Sequence, residues 1–394
     1  MKLKAPLRPF RATKDKTQGK IVKSPLSRKA SHFAHAGYEG RDGGQKICDF
    51  LEGILNARIN KAQLDQIITY ILREYDTFGV QKKDNSITFD KLEKAGSFLT
   101  WTEKPIIPFK KILWPDRAVI PAKAGIQEKG VDPRVKTEDD KLFYNDNSKK
   151  KLSFLGLTNC DAQALDIFLK EFSHTDLLPK RSDILVITSE CKPDENCFCT
   201  AFGQPKFNFS DIHIQEEGKN FEIFALTKVG QEIIKENGVS KFDKKLKIRE
   251  IKPQNTELLD LKSISQEISR KDKHEEYWQK IADQCFACGA CTAVCPLCFC
   301  FRCGSSNVAI KQCNNEISWD SCYSSSFSQI QRGFDFRPKN SDRLHNWYHH
   351  KFSRSVEKNG YPLCTGCGRC ISACPANLNQ KYIVESVTKI KDQL

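Results

Sequence analysis

Residues 285–296 read CFACGACTAVCP and residues 364–375 read CTGCGRCISACP. Both spell C-x2-C-x2-C-x3-C-P, the spacing that holds [4Fe-4S] cubanes, in which three close cysteines wrap one cubane and the fourth ligates the other cluster of a pair. Two-residue gaps let a tight loop present three thiolates to three irons. Gly289, Gly366 and Gly368 are expected to let backbone approach the sulfides. The spacing assigns cluster one to Cys285, Cys288, Cys291 and Cys374, and cluster two to Cys364, Cys367, Cys370 and Cys295. Zinc is the competing reading, but zinc sites favour pairs of C-x2-C units separated by a finger. Cubanes pass one electron at a time, so a pair of them implies a relay with a donor and an acceptor.

The 68 residues between Cys295 and Cys364 exceed what two cluster loops need for a connection, and a packing or partner-facing insertion is expected over 297–363. Cys298, Cys300, Cys303, Cys313 and Cys322 fall within it, either as a further cluster or as packing thiols. Arg332, Arg337, Lys339, Arg343, His345, His349, His350, Lys351 and Arg354 follow. Such a stretch is a solvated basic face, or a docking surface that speeds association with an acidic redox partner. Its histidines are too crowded by cations to be chosen as metal ligands.

Upstream, Leu64, Ile67, Ile68, Ile71 and Leu72 recur at helical spacing and predict a helix over 60–75 capped by Asn60. A short strand is expected over Ser86–Phe89. Leu152–Leu157, a helix from Cys160 to Phe172 capped by Asn159, and Ile184–Thr188 form a candidate βαβ unit. Parallel strands would place Cys160 and Cys191 on one carboxyl edge of the sheet, where α/β proteins bind ligands. Cys197 and Cys199 follow in CFC, whose extended backbone would send both thiols to one face, and a helix N-terminus favours a thiolate at Cys160. A third metal site on Cys160, Cys191, Cys197 and Cys199 is weighed against four reduced, partly buried thiols. Further expectations are a strand over 221–226, a helix over 229–236, and one long polar helix over 257–283 with Leu258, Leu261, Ile264, Ile268 and Trp278 inward.

The chain has 394 residues, 18 of them cysteine, and a formal charge of +14. No apolar stretch exceeds Ala293–Phe301, so nothing is long enough to span a bilayer. No apolar segment follows Met1 to suggest secretion, which favours metal ligation over disulfides and a cytoplasmic location. Residues 1–36 hold ten Lys or Arg and one acid, Asp15, supplying +9 of the charge. With the residues after it, this part is expected to be a basic, disordered extension over 1–58. Residues 118–140, AVIPAKAGIQEKGVDPRVKTEDD, resemble the translation of a dispersed bacterial genomic repeat and are expected to be a silent surface loop.

The strings CFACGACTAVCPLCFCF, WDSC, HHKF and CTGCGRCISACP, in that order, resemble the iron–sulfur β subunit family shared by anaerobic sulfite reductase (its A subunit) and NAD(P)-linked nickel–iron hydrogenases or sulfhydrogenases. NCDAQAL at Cys160 and CKPDENCFC from Cys191 to Cys199 resemble that family's N-terminal half. The resemblance covers about residues 59–394 outside the repeat-like insertion, and the basic extension, Cys303 and Cys313 depart from it. It implies an α+β chain: a mixed α/β domain over 59–270, then a ferredoxin-like dicluster domain over 271–394 with a long insertion between the two cluster motifs. It also implies a non-catalytic relay between a flavin/NAD(P)-binding reductase subunit, which holds FAD and NAD(P), and a catalytic sulfite reductase or nickel–iron hydrogenase subunit. It favours the third cluster. No G-x-G-x-x-G after a strand, P-loop or H-E-x-x-H is present. The competing classes are a stand-alone ferredoxin-like carrier and a nucleic-acid-binding protein with structural clusters.

Overall fold

Ile184–Ile187 reads ILVI, apolar on both faces, and that run is the centre of the fold. Ile184 and Val186 enter one core while Leu185 and Ile187 enter another, as expected of a parallel strand covered on both sides. The computed structural model describes residues 54–99, 104–114, 117–121, 150–174, 178–203, 207, 209–253, 257–309 and 312–390. The basic extension up to residue 53 and residues 122–140 of the repeat-like segment lie outside them.

The strands are β1 (Leu55–Asn60), β2 (Asp76–Lys83), β3 (Ser86–Lys91), β4 (Arg117–Pro121), β5 (Leu152–Leu157), β6 (Ile184–Ser189), β7 (Ile212–Glu217), β8 (Asn220–Ala225), β9 (Phe301–Ala309) and β10 (Gln312–Trp319). Seven of them form one sheet in the order β1-β8-β7-β6-β5-β2-β3. The pairs β2–β5, β5–β6 and β6–β7 are parallel, and the flanking pairs are antiparallel. The helices are α1 (Lys61–Glu74), α2 (Asn159–Glu171), α3 (Lys228–Glu236), α4 (Leu261–Ser269), α5 (Glu275–Gln284), α6 (Asn340–Tyr348) and α7 (Gln380–Lys389). α1 and α3 cover one sheet face, with Leu64, Ile68, Ile71, Ile233 and Ile234 buried there. α2 covers the other through Leu165 and Phe168, in a core shared with Cys295, Leu297 and Leu363 from the cysteine-rich part. A third core joins α4, α5, α6 and α7 through Ile268, Trp278, Trp347 and Val384. The chain is thus α+β, and the described residues all lie in one compact unit, Gly43–Leu394.

Several expectations need correction. β1 lies partly inside the stretch expected to be disordered to residue 58. Ala57 and Ile59 are buried while Arg58 and Asn60 are exposed, a period-two pattern that pairs with β8. α2 starts one residue early because Thr158 is its cap, its Oγ1 accepting from the Asp161 N–H at 3.3 Å. The long helix over 257–283 is two helices. Arg270 leaves helical geometry at φ −89°, ψ 57°, and the positions 271, 272 and 275 that would continue the apolar stripe are Lys, Asp and Glu. Leu258, expected inward, is 74% exposed. The repeat-like segment is not wholly a loop, since Arg117–Pro121 pairs antiparallel with β10 at the edge of the sheet β4-β10-β9. Its β-branched Val119 and Ile120 suit a strand. β9 and β10, inside the 297–363 insertion, carry Cys303 opposite Ile317 and Cys313 opposite Asn307.

His213 on β7 sits between Phe207 and Phe224 with Nδ1 2.9 Å from Thr188 Oγ1. Burial, with a smaller push from Arg249, drives its imidazole down to about 3. The unfolded chain takes up this proton near pH 6.5 and the native one does not, so stability falls as pH drops from 6.5 towards 3. The expected loss is about 2 kcal/mol by pH 5. Denaturant titrations at pH 7 and 5 test it, and His213→Leu should flatten the difference.

Candidate iron–sulfur centre

The two cysteine runs fold alike because glycine stands where each needs a left-handed residue. Gly289 (φ 75°) starts the turn Ala290–Ala293 and Gly368 (φ 77°) starts Arg369–Ser372. Backbone N–H groups two residues on donate to Cys285, Cys295 and Cys364 Sγ, each at 3.4 Å. The sulfurs gather across the runs: Cys291 is flanked by Cys285, Cys288 and Cys374, and also by Cys295. Cys370 is flanked by Cys364, Cys367 and Cys295, and also by Cys291. Sulfurs of both runs therefore lie near one another. Burial pushes the Cys291 and Cys364 thiols up to about 12. Among the described residues, no three His, Cys, Asp or Glu side chains close on a single ion.

Cys295, Cys364, Cys367 and Cys370 line one recess together with Lys351 and Thr365. The hydroxyl of Thr365 has no hydrogen-bond partner. Lys351, buried, points Nζ at Cys295 Sγ (3.3 Å) and Cys298 Sγ (3.7 Å). Lys110, also buried, donates to the carbonyls of Thr292, Ala293 and Cys298 at 3.1, 3.2 and 2.8 Å and lies 4.2 Å over the Trp319 ring. Neither ammonium meets a carboxylate among the described residues. Four sulfurs, the buried Lys351 cation and a hydroxyl without a partner suit an anionic iron–sulfur group in this recess. Around the other set, Cys288 is the exposed ligand candidate, in an open recess with Ser321, Ser324 and Arg343.

Cysteines of the upstream quartet also neighbour one another. Cys191 is flanked by Cys197 and Cys199, and Cys160 by Cys191, Cys199 and Cys367. Lys104 Nζ lies 2.8 Å from both Cys197 Sγ and Asp194 Oδ2. The helix N-terminus does not hold Cys160 as a thiolate: burial pushes its thiol well up, and Asp161 adds to that. Cys197 follows one turn and Cys199 opens another, with no strand there and Phe198 buried between them.

This quartet abuts the second run. Phe198 N–H donates to Gly366 O at 2.9 Å, and Asn196 Nδ2 to Ser372 Oγ at 3.0 Å. Arg369 forms a bidentate pair with Asp161 at 2.6 and 2.7 Å and donates to Pro105 O at 2.8 Å. The purpose expected of Gly366 and Gly368 is therefore revised. A Cβ on Gly366 would stand 2.5 Å from Phe198 O, and one on Gly368 2.5 Å from Asn196 O, so both glycines admit the neighbouring loop.

Cys298 pairs with Cys295, and Cys300 with Cys322, whose hydrogen bond lowers the Cys300 thiol to about 7. Cys298 also neighbours Cys300 and Cys322, so the four sulfurs lie near one another. In the cationic stretch, Arg332, Lys339 and Arg354 face solvent while His345 and Lys351 are buried. Grouping Lys351 with a basic face overlooks its helical phase, since Leu344, Trp347, Tyr348 and Phe352 mark its side of the helix as inward.

Residues 284–378 match the 4Fe-4S dicluster domain family. The chain is 26% identical over 278 residues to sulfhydrogenase 2 subunit beta of Pyrococcus furiosus, covering 65% of this chain and 79% of that protein. No solved structure matches. These comparisons support an iron–sulfur β subunit of a hydrogenase-like complex.

Proposed function

We propose that the chain is a non-catalytic electron-relay subunit with three iron–sulfur sites in series. Cluster one is held by Cys285, Cys288, Cys291 and Cys374, cluster two by Cys364, Cys367, Cys370 and Cys295, and a third by Cys160, Cys191, Cys197 and Cys199. The observation that carries this reading is the direct packing of the Cys197–Cys199 loop on the second run, through Gly366 and Gly368, while Cys288 reaches the surface. Each cluster, when bound, takes up and releases one electron.

The chain's own residues shape that path. Trp347, Phe352 and Phe198 wall the recess of the second set against water, and Lys351 supplies positive charge beside it. Lys104 does the same beside Cys197. Exposed Cys288 marks where a partner's cofactor comes nearest, with Arg332 and Lys339 available to attract an acidic partner. The partners are a flavin/NAD(P)-binding reductase subunit, carrying FAD and NAD(P), and a catalytic subunit of the hydrogenase or sulfite reductase kind. Among the described residues no helix is long and apolar enough to cross a membrane, and a cytoplasmic location fits reduced thiols.

Anaerobically purified protein should contain about twelve irons per chain, from three four-iron clusters. Cys191→Ala should leave about eight, with the spectrum of the two ferredoxin-type clusters retained. Wild-type protein holding about eight irons would rule out the third site.

A further inference from the structure

Lys351 lies on the segment His349–Arg354, where the helix after α6 widens into a π-turn. It is 2% exposed, with Nζ against two sulfurs and 5.4 Å over the Trp347 ring. An ammonium sealed from water without a carboxylate is costly unless its surroundings carry negative charge. Among the described residues, the groups beside it that can carry that charge are the Cys298 sulfur and the recess of Cys295, Cys364, Cys367 and Cys370. The other ferredoxin-type set is surrounded differently. Asn340 Nδ2 donates to Cys285 O at 3.0 Å, and Tyr323 and Tyr348 are buried beside Cys291. Among the described residues, no lysine or arginine is bonded to the sulfurs of Cys285, Cys288, Cys291 or Cys374.

We propose that Lys351 is a positioning charge that makes cluster two the higher-potential member of the ferredoxin-type pair, so that an arriving electron comes to rest at the buried site and not at the exposed one. The proposal rests on the reading of the eight cysteines as cluster ligands. A one-electron reduction adds one negative charge, and a cation fixed in a low-dielectric interior stabilises the reduced state more than the oxidised one. Solvent at Cys288 favours reduction of cluster one and works the other way. Cys288 is the one exposed ligand and Cys285, Cys291 and Cys374 are half-buried, and water screens what it stabilises, whereas Lys351 is sealed against its sulfurs.

The test is an anaerobic potentiometric titration of the full chain followed by electron paramagnetic resonance, with Cys364→Ser identifying the step that belongs to cluster two. In wild-type protein that step is expected to be the upper of the two ferredoxin-type steps. Lys351→Met, which keeps length and removes charge, should move it to more negative potential and leave the cluster-one step in place. Lys351→Arg should restore it. A cluster-two step that stays put in Lys351→Met overturns the proposal. Should that variant not fold, the wild-type order decides, and a cluster-two step below that of cluster one overturns it equally. Absence of any cubane signal from wild-type protein would instead defeat the ligand reading itself.

Discussion

Asp161→Asn is expected to destabilise the protein by about 3–5 kcal/mol, the cost of leaving a buried charge without its partner. Asp161 and Arg369 meet through two bonds of 2.6 and 2.7 Å, and their side chains are only 2% and 4% exposed. An asparagine offers one acceptor and no charge, so the guanidinium would stay buried with only Pro105 O as a further acceptor. Urea unfolding under anaerobic conditions measures the loss. The double variant Asp161→Leu with Arg369→Met should recover most of it, because replacing both members of a buried pair is often close to neutral. A single-variant loss below about 1 kcal/mol would mean that water reaches the pair.

Gly368→Ala is expected to cost about 2–5 kcal/mol, from two separable causes. Its φ of 77° strains any L-residue by about 1–2 kcal/mol. Its new Cβ would also lie 2.5 Å from Asn196 O, backbone that moves only with the whole Cys197–Cys199 loop, and such overpacking adds about 1–3 kcal/mol. Gly360 separates the two, since it has nearly the same φ, 79°, and an added methyl there would meet nothing within 4 Å. Gly360→Ala should therefore show the conformational cost alone. Equal losses at the two positions would mean that the loops do not touch as described. Gly368→Ala should also loosen the quartet, read as lower iron retention after gel filtration than in Gly360→Ala.

What the sequence reveals follows the range of the forces involved. Periodicity is local, so α1, the β5–α2–β6 unit, β8 and α3 are legible, with shifts of a residue or two at their ends. Cysteine spacing is local too, and the family match over residues 284–378 falls on the two runs it singles out. β1 and β7 carry alternating patterns as well, though short ones beside stronger signals: Ala57 and Ile59 stand against exposed Arg58, and Ile212 and Ile214 are buried in β7. Long-range pairings are not legible. Nothing near Asp161 announces Arg369, 208 positions away, and nothing in CTGCGRC says that its glycines admit a backbone from the other half of the chain. Lys351 shows a different failure, in which composition outvotes phase. Surrounded by His349, His350 and Arg354 it looks like a surface cation, yet it occupies a helical position shared with buried Trp347 and Phe352.

The interleaving of the two runs also constrains when the protein can mature. On the proposed ligand sets, a nascent chain synthesised as far as Cys300 carries only three of the four sulfurs of cluster one, because Cys374 belongs to the second run. The set around Cys370 likewise waits for the second run, and the upstream quartet lacks its Arg369 clamp until then. On the proposed ligand sets, each ferredoxin-type site needs a sulfur from both runs, so a chain cut between Cys295 and Cys364 would complete neither of them.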